Sequence, residues 1–151
     1  FALDSLEHVV VDSQLADAYR SGKRDVSLQP SLSYYPSLLS NAEFVMGGLT
    51  SMMIEALIFH KQFLGLVHDD HKNFTSMHNV YKNYTHFEGI EKMDAVTLCD
   101  DLDILENTFN NVWNSRDVLS SELIDEQRQF FYHHDNVAYQ NRLLKMCKEI
   151  L

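Results

Sequence analysis

The sequence predicts an all-α fold: an irregular four-helix bundle packed around one hydrophobic helix at about 40–70. Three observations carry that expectation. The run from Phe44 to Phe59 has Glu55 as its only ionisable side chain and is bracketed by Ser40-Asn41 and His60-Lys61, so it reads as a helix buried on most of its circumference. The 151 residues include 5 glycines and 2 prolines, and no alternating Val, Ile and Thr runs announce a sheet. Apolar side chains recur at helical intervals later in the chain, between 90 and 114 and again between 120 and 150.

Residues 1–151 are expected to form a single helical domain, long enough to bury a core. A composition 45% hydrophobic and 23% charged belongs to a globular chain rather than a disordered one. With 12 basic against 22 acidic side chains the net charge is −10, which excludes a surface built to displace counterions from nucleic acid. Other protein subunits are the partners expected. Cys99 and Cys147 are too few and too far apart for a disulfide framework or a zinc knuckle. A first residue of Phe instead of Met leads to the expectation of a processed or trimmed N-terminus.

The first helix is expected over 4–21. Asp4-Ser5-Leu6-Glu7 has capping-type spacing, Leu6, Val9, Val10, Leu15, Ala16 and Tyr19 supply its apolar face, and Gly22 closes it. Residues 23–39 carry Pro30 and Pro36 with several serines and read as a connector. The central helix then begins at a capping box, Ser40 to Glu43, with Leu39 and Phe44 as its hydrophobic staple.

Projected at 3.6 residues per turn, Gly47, Ser51 and Glu55 form a narrow small-or-polar stripe on this helix. Two environments account for such a stripe. In a soluble bundle it faces water or a polar seam. In a bilayer the segment is a single membrane span, Gly47 and Ser51 make a small-residue contact surface, and Glu55 sits near mid-depth.

Residues 68–89 read as a polar loop or short helices. Over 90–114, Leu98, Leu102, Leu105, Phe109 and Val112 alternate spacings of four and three, the seam of a packed helix. The last helix, 120–150, repeats Leu123, Phe130, Val137, Leu144 and Leu151 every seven residues, an apolar edge suited to interaction with the bundle or with another chain.

Histidine supplies the candidate chemistry. His68 and His71, three residues apart on a helix, would face one side as a chelating pair, with His60 or His78 completing a transition-metal site, or His60 a haem site. His133-His134-Asp135 is a weaker grouping, because adjacent imidazoles on a helix diverge by about 100°. No Glu-x-x-His is present, which excludes a carboxylate-bridged di-iron bundle. There is no P-loop, dinucleotide fingerprint or nucleophile elbow. The stretch from His60 to Asp70 resembles a segment of the membrane-anchor subunits of succinate dehydrogenase, where a haem-ligand His precedes an Asp-Tyr pair near quinone. Here Asp69 is followed by Asp70 in place of Tyr, the glycine stands at Gly65, and the three-span anchor is missing. The resemblance implies a haem ligand at His60.

These features lead to an expected role as a non-catalytic accessory or scaffold subunit of a larger complex, membrane-associated and mitochondrial, with no cofactor. Two alternatives stand beside it: a His-ligated metal- or haem-binding helical protein, and a secreted helical ligand glycosylated at the acceptor sites Asn73 and Asn83.

Overall fold

The computed structural model describes residues 7–12 and 33–128, together with Val137, Asn141, Lys145 and Lys148 singly. The chain divides into two units, Phe1–Leu38 and Leu39–Leu151.

In the first unit, residues 7–12 form a turn and irregular chain instead of the helix expected over 4–21, the remainder of which lies outside the described residues. The Tyr34 hydroxyl donates to the Asp12 carboxylate, and this bond, with some burial, holds the phenol above its ordinary pKa. Helix α1, Tyr34–Asn41, contains the boundary between the units. It occupies the end of the expected connector and carries Pro36 in its first turn, where a missing N–H leaves no bond unmade.

The second unit is mixed α/β, which overturns the all-α bundle. After α1 come β1 (Phe44–Gly47), α2 (Ser51–Ile58), β2 (Gln62–Leu66), α3 (Met77–Asn83), two 3-10 turns, β3 (Val96–Cys99), a further 3-10 turn, α4 (Leu105–Ser115) and α5 (Ser121–Arg128). The strands form a parallel sheet in the order β1-β2-β3, with Phe44 opposite Gln62 and Phe63 opposite Val96.

The expected central helix at 40–70 is therefore a strand, a helix and a second strand. Gly47-Gly48 ends the first strand, Thr50 caps the helix in place of the Ser40 box, and the tight turn at Phe59-His60-Lys61 returns the chain into β2. The membrane-span alternative falls with it: among the described residues no helix is long and apolar enough to cross a bilayer. The physical reason is that a parallel strand covered on both faces is apolar at every position, so its sequence shows the unbroken run of a buried helix and not a strand's alternation.

Both faces of the sheet are covered. Phe63 and Val67 share one core with Leu49, Met53, Ala56 and Leu57 from the α2 segment, Ile90, and Ile124 of α5. Leu64 and Cys99 face the other way and pack with Val112 of α4, flanked by Phe44, Leu66 and Leu105. Met53, Ala56, Leu57, Leu64 and Ile90 are wholly buried.

The expected helix over 90–114 begins only at Leu105, because Leu98 belongs to β3 and Leu102 to a 3-10 turn. Of the expected last helix, Ser121–Arg128 is helical, as are Asn141, Lys145 and Lys148, and Val137 is not.

Candidate functional site

Because the strands are parallel and nearly in register, their carboxyl ends lie at one edge of the sheet, and so do the segments that leave them. Gly47-Gly48 leads from β1 into α2, His68-Asp69-Asp70-His71 follows β2, and Asp100-Asp101 follows β3. In open α/β sheets this edge is where ligands are held.

The first segment is shaped by glycine. A Cβ on Gly48 would lie 2.9 Å from the Met77 sulfur, so a side chain there would push the flexible Met77 thioether aside. A Cβ on Gly47 would meet nothing within 4 Å, so the space beside it is open. Thr50 follows in extended backbone, its hydroxyl accepting from the Met52 amide at 3.3 Å and its carbonyl accepting from the Met53 amide at 3.0 Å. This capping fixes the direction in which α2 presents its positive end.

The second segment is not helical, so the three-residue spacing of His68 and His71 does not place them on one helical face. His68 is half-buried, and its Nδ1 is enclosed without a hydrogen-bond partner. His71 is exposed, with a left-handed φ of 53°. Its amide donates to an Asp69 oxygen at 2.9 Å, a bond that lowers the Asp69 pKa despite some opposing desolvation. Asp70 accepts from the amides of Asn73 at 2.9 Å and Lys72 at 3.0 Å and from the Asn73 side-chain amide. Those donors hold its pKa at about 2.

In the third segment Asp101 caps the 3-10 turn at 102–104, accepting from the Asp103 amide at 2.9 Å, while its carbonyl accepts from the Cys99 thiol at 3.1 Å.

His60 is not at this edge. It precedes β2, at the amino end of the sheet, and its Nε2 lies 2.7 Å from an Asp125 oxygen of α5. It is separated from His68 by the length of β2, about 16 Å for five extended residues. Among the described residues no group of three or more His, Cys, Asp or Glu is arranged to hold a metal ion.

The small-or-polar stripe is also divided, since Gly47 lies in β1 while Ser51 and Glu55 stand in the first turns of α2. Of the expected interaction edge, Leu123 is half-buried on α5 and Val137 is 43% exposed, and Phe130, Leu144 and Leu151 lie outside the described residues, as does His133-His134-Asp135. Asn73 and Asn83 are both exposed.

Gly48, Thr50, Asp100 and Asp101 were not singled out by sequence reasoning, although a signal for them exists. Two short, largely apolar runs, 63–67 and 95–99, lead to an Asp-Asp pair, the first by way of His68, and a third, 44–46, closes on Gly-Gly, with Leu49 before Thr50-Ser51. Three apolar runs that each stop at turn or acidic residues are the signature of buried parallel strands. No family model, curated protein or solved structure matches the chain.

Proposed function

We propose that the chain binds a hydroxyl-rich small molecule of the nucleoside or sugar class at the carboxyl edge of its sheet. The observation that carries this reading is the His68 Nδ1, a polar atom enclosed at that edge with no protein partner. A buried imidazole nitrogen loses its bond to water on folding, and a ligand hydroxyl that parts the side chains closing over it would restore that bond.

The surrounding chemistry agrees. In mononucleotide-binding β-α-β units a glycine turn lets the ligand approach the start of the helix, and a carboxylate about 20 residues further on accepts from a sugar hydroxyl. Here Gly47-Gly48 precedes α2, and Asp69 follows the adjacent parallel strand. The third glycine of the dinucleotide fingerprint is missing. Asp69, Asp70, Asp100 and Asp101 make the edge electronegative, which favours hydroxyl donors and disfavours a polyphosphate. A ligand that carries phosphate would turn it toward the start of α2.

Titration of the isotopically labelled chain with adenosine, glucose, ADP and a nucleoside-diphosphate sugar tests the reading. The expected result is saturable shifts at Gly47, Gly48 and His68 for at least one hydroxylated ligand, and their loss in Gly47→Leu. No saturable shift at those positions with any of the four overturns it.

A second reading keeps the chain as a non-catalytic accessory subunit held by another protein. It is favoured by an apolar surface beside β1: Met46, Phe109 and Trp113 are 46%, 36% and 41% exposed, and Phe109 and Trp113 lie 5.2 and 6.3 Å from the Phe44 ring. Clusters of this kind mark contact surfaces more often than isolated exposed residues do. Native co-purification distinguishes it: a stoichiometric partner retained by the wild type and lost from Phe109→Ser/Trp113→Ser supports docking there, and equal retention by both removes this face from the interaction.

A further inference from the structure

We draw no further inference here: the strongest candidate, the apolar face that Met46, Phe109 and Trp113 present beside β1, is already the contact surface of the second reading, and nothing in the structure shows what covers it.

Discussion

His60 stands in left-handed backbone, φ 55°, with its Nε2 2.7 Å from the Asp125 carboxylate. It occupies the position just past the cap of α2, where its amide donates to Leu57 and the Lys61 amide donates to Ala56, the bond pair of a Schellman ending. Glycine is the usual occupant there, since a Cβ in left-handed backbone costs about 1–2 kcal/mol. Histidine keeps the position and uses it to tie α2 to α5.

The expected order of stability follows from separating those two terms. His60→Ala loses the bond and keeps the strain, whereas His60→Gly loses the bond and sheds the strain. In urea denaturation the glycine variant should exceed the alanine variant by about 1 kcal/mol. Both partners are 41% exposed, so screening limits the His60–Asp125 coupling in a double-mutant cycle to about 0–1 kcal/mol. Alanine and glycine variants of equal stability would show that residue 60 is not left-handed.

Asp70 makes the stability of the 68–73 loop depend on acid. Its pKa falls from the ordinary 3.8 to about 2 because the folded loop presents amide donors to the ionised carboxylate. A carboxyl more acidic in the folded chain contributes stability above its unfolded pKa and loses it as pH falls through the folded value. The window is therefore between about pH 4 and pH 2. Against Asp70→Asn, the wild type should hold a constant stability advantage above pH 5 that shrinks through this window and disappears only below it. An advantage that persists unchanged below pH 2 would mean that the carboxylate's ionisation is not what the loop uses.

The single helix expected over 40–70 covers three elements, β1, α2 and β2. The apolar run at 44–59 does stop at His60, just past the cap of α2, but Ser40 lies inside α1 and the run opens with β1. The sequence reads as one helix because both β1 and β2 are apolar on two faces, and a strand of four or five residues is too short for its period to separate from a helix. The Ser40–Glu43 spacing fits a capping box, yet Thr50 caps the helix, since tertiary pairing with β2 decides where the helix begins. His68 and His71 were legible as a pair, and what the sequence could not give was a helix to align them.

Phe63 and Leu64 test the two-faced sheet directly. They are adjacent, 1% and 0% exposed, and belong to different cores, Phe63 to the α2 side and Leu64 to the α4 side. Truncation should cost about 3–5 kcal/mol for Phe63→Ala and about 2–5 kcal/mol for Leu64→Ala. Ile58→Ala, at a 39% exposed position on α2, should cost much less than either. Chemical denaturation of the three variants decides it. A one-sided sheet would leave one of the two strand variants near wild type.

Gly47 and Gly65 face each other across β1 and β2, and alanine at the two positions should behave oppositely. A Cβ on Gly65 would lie 2.9 Å from a Leu98 methyl and 3.3 Å from a Leu49 methyl, inside a packed core, so Gly65→Ala should destabilise by about 1–3 kcal/mol. At Gly47 the same methyl meets nothing within 4 Å, so Gly47→Ala should leave stability unchanged or raise it by about 0.5–1 kcal/mol through the lost freedom of the unfolded chain. On the proposed reading, the open space beside Gly47 is where the ligand approaches. Gly47→Ala should therefore keep its thermal midpoint and bind the hydroxylated ligand at least threefold more weakly, a loss of about 0.6 kcal/mol. Unchanged affinity in a fully folded Gly47→Ala would place the ligand away from the start of α2.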